Sequence, residues 1–220
     1  KARFAACFDE KKAAAYPEAE EIFHRAGENF EEVYTFLSKD ENPNRKKLLF
    51  SLALKDAKDL KASVLEDHLD CEQGDLPEEI FRKDLLCPRI FLEELTPYRS
   101  MIREFFEEET KHSFAEQPER ILDYLKKNIT FHAEEEYDTI MATPVGVLTM
   151  KQGSPLAQKI LFVAICRSLN VAARLNPVTL EPEYYHNGAF HSVETEAAVL
   201  EEETESAVLA LNAEDGSVWK

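Results

Sequence analysis

The 220-residue sequence lacks the features that define several common protein classes. Its four cysteines, Cys7, Cys71, Cys87 and Cys166, form no CxxC pair, which argues against a zinc ribbon or a dense disulfide framework. No apolar run reaches the roughly 20 residues of a membrane span. The first residues contain no apolar core of a signal peptide. We therefore expect a soluble globular protein and, because the cysteines suit a reducing compartment, the cytoplasm, although the missing initiator Met leaves localisation open.

Basic residues are also scarce. Lys and Arg number 26 against 43 Asp and Glu, which gives a net charge of -17. Binding to nucleic acid relies on clustered Lys and Arg, so neither nucleic acid nor an anionic membrane is an expected partner. A basic partner remains compatible with this charge, but the interpretation we favour is that the acidity provides solubility.

The first 140 residues have the periodicity of helices. Apolar residues recur at helical spacing before a break at Asn42-Pro43, and a second helix is predicted over 45–69. A short third helix is predicted over 78–86. Thr96-Pro97 resembles an N-cap followed by proline in the first turn, and Gln117-Pro118 opens a further helix.

After Tyr137 the pattern changes. The segment 143–149 is short and β-branched, a helix follows from Pro155 to Leu169, and strands are predicted over 171–178, 189–195 and 207–211. The acidic run 194–205 is expected to be a solvated loop. A turn signal at 213–217 suggests that the chain continues beyond Lys220. We therefore predict an α+β fold with a helical region at 1–140 and a C-terminally truncated core at 141–220.

The helix that starts at Pro155 is predicted to be central. Ser154 suits its N-cap, and proline suits its first turn because the missing N–H has no partner there. From Leu156 to Leu169 apolar residues point in almost every direction, which is typical of a buried helix. Cys166 lies three turns inside and is expected to pack in the core.

The end of this helix carries a family resemblance. The segment Arg167-Ser-Leu-Asn-Val-Ala-Ala-Arg174 resembles the Arg-x-Leu-Gly-Ile-Pro-Ala-Arg segment of the transglutaminase-like superfamily, whose catalytic logic is papain-like. Asn170 replaces a helix-ending Gly, and Asn also tolerates the left-handed conformation. The segment 86–99 is similar to a region before the core of large bacterial transglutaminase-like proteins. The resemblance covers residues 45–195 and implies a buried central helix packed on an antiparallel sheet.

The resemblance also implies a catalytic site, but at the family's catalytic positions this chain has other residues. Counting back from Arg174 places the family's nucleophilic cysteine at Pro155, or at Ser154 after a shift of one residue. The family's His-x-Trp-x-Glu strand maps onto 188–192, which puts Gly188 at the base position. His186 and His191 lie near that position, whereas the acidic candidates of 194–215 are not distinguished by spacing. No third ligand accompanies the two histidines, so neither a metal nor a cofactor is expected.

Three hypotheses follow. The first is a catalytically degenerate transglutaminase-like module of a larger bacterial protein, which binds a peptide or glycan or acts as a scaffold; it is favoured because both the Cys and the His positions are lost. The alternative is a cysteine-protease-like hydrolase or acyl transferase with displaced groups, such as Ser154 with His186 or His191, or a group beyond Lys220. The third is an all-helical interaction protein with a chance match, against which the predicted strands argue.

Overall fold

A computed structural model of the chain describes residues 8–132 and 142–193. Helices dominate up to Asn128, and a sheet follows the last helix, so the predicted α+β class is confirmed. No helix within the described residues combines the length and the apolar character that crossing a bilayer requires. The helices are α1 (Glu10–Ala13), α2 (Glu20–Ala26), α3 (Phe30–Ser38), α4 (Asn44–Leu49), α5 (Ala62–Leu69), α6 (Glu78–Ile80), α7 (Tyr98–Phe105), α8 (Glu108–Glu116), α9 (Glu119–Asn128), α10 (Pro144–Met150) and α11 (Pro155–Ser168).

The helix predicted over 45–69 is interrupted in the structure. It consists of α4, a 3₁₀ turn at Leu54–Lys58, and α5. Ser51 Oγ donates to the Leu48 carbonyl at 2.6 Å, a local bond that competes with helix continuation. Asn29 Nδ2 binds the carbonyls of Ala57 and Leu60 at 2.9 and 2.7 Å, which holds the interruption against the preceding helices. The prediction of one continuous helix was therefore wrong.

The predicted N-cap at Thr96 was also wrong. Helix α7 starts at Tyr98, and no side chain of Pro97 or Thr96 caps it. The backbone N–H groups of Arg99 and Ser100 instead donate to the carboxylate of Asp67 in α5, at 2.8 and 3.0 Å. An acidic group from a neighbouring helix thus performs the role that the sequence pattern assigned to a local hydroxyl.

The β-branched segment 143–149 belongs to helix α10. Thr143 Oγ1 accepts a hydrogen bond from the Gly146 N–H at 3.2 Å, and Pro144 occupies the first turn. A capping threonine followed by proline is therefore a start signal here, and it outweighs the weak helix preference of β-branched residues.

The sheet has three antiparallel strands, β1 (Ala173–Leu175), β2 (Pro182–His186) and β3 (Ala189–Ser192), in the order β1-β2-β3. β1 and β3 are shorter than the predicted strands 171–178 and 189–195. β2 was expected to be a loop around Tyr184 and Tyr185, and the structure corrects this, since β2 pairs with both neighbours. The predicted strand 207–211 and the acidic loop 194–205 lie outside the described residues.

Helix α11 is the centre of one of two hydrophobic clusters. Every residue from Ile160 to Ser168 is buried, as predicted for a central helix. Its cluster includes α7, α9, α10 and the sheet, whereas a second cluster unites the helices before residue 87. Asn170, at φ 64°, joins the two regions because its side chain pairs with the backbone of Glu72. The division predicted at residue 140 does not separate these clusters and stays a prediction about domains.

Candidate functional site

The N-terminal end of α11 is closed by its own cap. Ser154 Oγ accepts a hydrogen bond from the Ala157 N–H at 3.2 Å, which confirms the predicted N-cap. Pro155 is the first residue of the helix and is exposed. The side chain of Gln158 donates to the Gly153 carbonyl at 2.9 Å. This end of the helix therefore presents a capping hydroxyl and a proline ring, without a thiol.

The thiols of the described residues lie elsewhere. Cys166 is fully buried in α11, and burial raises its pKa far above the ordinary value. Burial also raises the pKa of Cys71, although the nearby Arg99 guanidinium opposes the rise. Cys87 is buried before the loop that leads to α7, and its Sγ contacts the Ser51 carbonyl at 3.6 Å. A thiolate nucleophile needs a lowered pKa, so the environments of Cys71 and Cys166 favour the inert thiol.

His186 and His191 lie together on the β2–β3 hairpin, and both are exposed. Their ring centroids are 6.1 Å apart, and His191 also stacks on Tyr184 with a centroid separation of 5.6 Å. The His191 Nε2–H donates to the His186 carbonyl at 3.0 Å, because a carbonyl can only accept. The structure thus brings these two candidate bases to each other.

It does not bring them to Ser154. His191 is paired with Tyr184, which is paired with Ala173 at the start of β1, directly after the C-terminal end of α11. His186 lies one step further towards the hairpin turn. Ser154 stands at the opposite end of this 14-residue helix. At a rise of 1.5 Å per residue the two ends of α11 are about 20 Å apart, so Ser154 and the hairpin histidines lie towards opposite ends of this helix.

Contacts at the two ends of helix α9 also indicate that the β2–β3 hairpin is distant from the start of α11. Its hydroxyl donates to the carboxylate of Glu119 at the start of α9, and burial together with this bond raises the pKa of Tyr184 to about 12. The other end of α9 leads to Thr130, whose carbonyl accepts from the Gly153 N–H at 3.0 Å. Helix α9 therefore spans the distance between the hairpin and the start of α11, about 15 Å for its ten residues.

About half of the chain matches a known protein family. Residues 99–207 match the family described as the transglutaminase-like superfamily. The chain carries a transglutaminase-like domain. Neither the curated proteins nor the solved structures gave a match.

In this transglutaminase-like domain the residues mapped onto the family's base strand have structural roles. Gly188 lies in the two-residue hairpin turn with φ 84°, after Asn187 with φ 49°, and both belong to the left-handed region that such turns require. The ring of Phe190 lies 3.6 Å from the guanidinium carbon of Arg174, which pairs with Glu183 at 2.9 Å. Ser192 pairs with Glu183 across the sheet. The acidic candidates of 194–215 lie outside the described residues.

One histidine at the helix end was missed in the sequence. A parallel bridge joins Thr130 to Gln152, and the Gly153 N–H donates to the Thr130 carbonyl at 3.0 Å, so Thr130 lies beside the residues that lead into α11. His132 is two residues from Thr130 and is therefore near this end of the helix. The pairing is isolated and non-local, and no spacing motif in the sequence indicated it.

The described part of the transglutaminase-like domain offers no cluster of metal-ligating side chains. Within residues 8–132 and 142–193, no three His, Cys, Asp or Glu side chains are grouped so that they could hold a metal ion. The charged groups near α11 are paired instead, for example Lys159 with Glu181 at 2.5 Å. The groups described near the helix end are therefore the Ser154 hydroxyl, the Gln158 amide, the His132 imidazole and apolar side chains.

Proposed function

We propose that this transglutaminase-like domain is catalytically inactive and binds an extended peptide segment at the N-terminal end of α11, as part of a larger bacterial protein. The observation that carries the proposal is the composition of that end. On the count back from Arg174, Pro155 takes the position of the family's nucleophile, and His186 and His191 belong to the hairpin near the other end of α11, a helix about 20 Å long. A unit of nucleophile and base loses most of its rate when one member is lost.

Three exposed apolar side chains lie in segments that are bonded to residues near this end of the helix. We call Phe131, Met150 and Val178 the helix-end patch; they are 37%, 76% and 87% exposed. Met150 ends α10, and the next residue, Lys151, accepts a backbone hydrogen bond from Thr130, the neighbour of Phe131. Val178 lies in the turn before Glu181, which pairs with Lys159 in the second turn of α11. Exposed apolar patches mark interaction sites, and we infer that apolar side chains of a peptide occupy this one.

Substitution of Met150 tests the peptide site. Peptides selected from an immobilised array will bind the unaltered protein, and Met150→Asp will weaken their binding at least about tenfold, because a charge replaces an apolar contact. Met101→Asp is the matched control, since Met101 is also a helical methionine, 47% exposed, on α7. Fluorescence polarisation measures both. Equal weakening by the two variants, or binding of glycans and no peptide on parallel arrays, contradicts the proposal.

The second candidate is a hydrolase with displaced groups, and the position of His132 is the observation that favours it. In that case the Ser154 hydroxyl attacks and His132 acts as its base. We expect no such activity, because Ser154 Oγ is engaged as a helix cap. A fluorophosphonate probe followed by peptide mapping tests this: the degenerate interpretation predicts an unmodified Ser154. Modification of Ser154 that His132→Ala abolishes establishes the hydrolase instead.

A further inference from the structure

Helix α5 carries the one buried histidine among the six of the chain. His68 has no exposed surface, whereas the other histidines are exposed. Its Nδ1 accepts a hydrogen bond from Arg99 Nε–H at 3.0 Å, so the ring hydrogen is on Nε2, from which the Thr96 carbonyl accepts at 3.3 Å. The ring is therefore held in the neutral form, with one acceptor and one donor nitrogen.

The Arg99 guanidinium depends on this neutral ring. Arg99 is fully buried near the start of α7, and its Nη2 donates to the Leu85 carbonyl. Its Nη1 has no hydrogen-bond partner, and no carboxylate of the described residues forms an ion pair with the guanidinium. A buried charge is costly unless it is paired and hydrogen-bonded. Loss of the His68 acceptor would therefore leave this cation with still fewer partners.

Three arginines face the His68 ring from the neighbouring helices. Arg99 and Arg103 lie on α7, and Arg167 lies on α11. Burial, and next the Arg99 charge, hold the pKa of His68 well below its ordinary value; the other two arginines act in the same direction, and the bond to the Thr96 carbonyl opposes it. A proton on Nδ1 would also replace the acceptor of the Arg99 N–H by a second donor.

The other titratable groups beside the ring supply no unpaired anion in the part of the chain that the structure describes. Asp67 accepts from two backbone N–H groups of α7, and Asp70 pairs with an arginine of that helix. The Tyr98 ring lies edge-on to His68, with centroids 4.4 Å apart. Burial raises the pKa of Tyr98 to about 12 and also raises the pKa of Cys71, so both groups are neutral. A protonated His68 would thus have no counter-ion.

The bond between His68 and Arg99 joins the two hydrophobic clusters. Ile102 places α7 in the cluster of α11, whereas Leu65 places α5 in the second cluster. We propose that His68 is an acid-sensitive latch between them: in mildly acidic solution, protonation of its ring breaks the bond from Arg99 and releases α5 from α7. The latch is a property of the fold and is independent of peptide binding at the helix-end patch.

Release of α5 hydrates His68, which then takes up a proton near its ordinary pKa of about 6.5. The closed form resists this proton, so the open form binds more protons and is favoured as the pH falls. From pH 7.5 to 5.0 the equilibrium constant for opening rises about thirtyfold. Asp40, whose pKa is held low by Arg45, titrates below this range. Burial raises the pKa of Asp84, which gives the opposite sign, since protonation of Asp84 favours the closed form.

Native-state hydrogen exchange, read by mass spectrometry at pH 7.5 and 5.0 and corrected for the intrinsic exchange rate, tests the latch. We expect residues 62–69 and 98–105 to exchange about thirtyfold faster at pH 5.0, and residues 160–165 of α11 to change less than about threefold. His68→Gln, whose amide can both accept and donate, will lose this pH dependence. His24→Gln, at an exposed histidine of α2, will retain it.

Two outcomes of hydrogen exchange overturn the proposal. A rise of similar size in residues 160–165 would show global unfolding in place of release, and an unchanged pH dependence in His68→Gln would assign it to another group. Side-chain NMR of the unaltered protein decides the matter if His68→Gln does not fold. The ring signal of His68 should not titrate between pH 7.5 and 5.0 in the folded protein, and titration of all six rings in this range contradicts the latch.

Discussion

Arg167→Ala will lower the free energy of unfolding by about 3–5 kcal/mol. The Arg167 side chain is 2% exposed and donates to three backbone carbonyls, those of Ala173 at 2.8 Å, Cys87 at 2.7 Å and Arg89 at 3.0 Å. Removing the guanidinium leaves these acceptors buried without donors, and each costs about 1–3 kcal/mol. Arg167 connects α11 both to β1 and to residues 87–89, so loss of its guanidinium weakens the region where the two hydrophobic clusters meet.

Urea unfolding followed by circular dichroism measures this loss. Arg25→Ala is the control, because Arg25 is exposed on α2 and its removal should change stability by less than about 0.5 kcal/mol. Arg167→Lys keeps the charge but not the planar set of donors, so its stability should fall between the two. A loss below about 1 kcal/mol for Arg167→Ala would show that other donors bind the three carbonyls and that Arg167 does not connect α11 to residues 87–89 with a substantial energy.

Phe162→Ala will destabilise the protein by about 3–5 kcal/mol, the range for removal of a buried aromatic ring. Phe162 has no exposed surface, and its neighbours on α11 are equally buried. Because α11 is covered by helices and by the sheet, the surroundings cannot collapse into the vacated space from a free side. The loss of stability therefore includes both the lost burial of the ring and the cavity that remains.

Phe105→Ala is the matched comparison, since Phe105 is 43% exposed at the end of α7. Thermal and urea unfolding of both variants give the difference, which we expect to exceed about 2 kcal/mol. Similar losses for the two phenylalanines would mean that α11 is not the central helix that the structure describes.

Local signals in the sequence predicted the central helix well. Ser154 and Pro155 mark its start by capping and by proline geometry, and the apolar residues around it indicated burial on every side. Asn170 was expected to end the helix in a left-handed conformation, and its φ of 64° confirms this. The Arg167–Arg174 segment also indicated the family that the match to residues 99–207 supports.

Features that depend on distant contacts were not predictable. β2 carries Tyr184 and Tyr185 without polar alternation and is a strand because it pairs on both sides. The start of α7 is capped by Asp67, 32 residues before Arg99. The sequence gave no indication that Ser154 caps the start of α11 while His186, on β2, lies towards the other end of that helix. The bridge that brings His132 towards Ser154 also follows from the tertiary structure alone.

The residue at the start of α11 links the fold to the proposed function. Proline suits the first turn of a capped helix and leaves no thiol at the first residue of α11, where a helix N-terminus stabilises a thiolate. We propose that the transglutaminase-like domain has lost its nucleophile there and that the apolar residues of the helix-end patch bind a peptide. Inactivity is therefore the central claim, and it concerns the thiols directly.

Alkylation by iodoacetamide of the native chain at pH 7, read by peptide mapping, tests that claim most directly. We predict that no cysteine reacts faster than glutathione and that Cys87 and Cys166, both buried, react only after unfolding. A single cysteine that reacts at least about tenfold faster than glutathione in the native protein would reveal an activated thiolate and contradict the account.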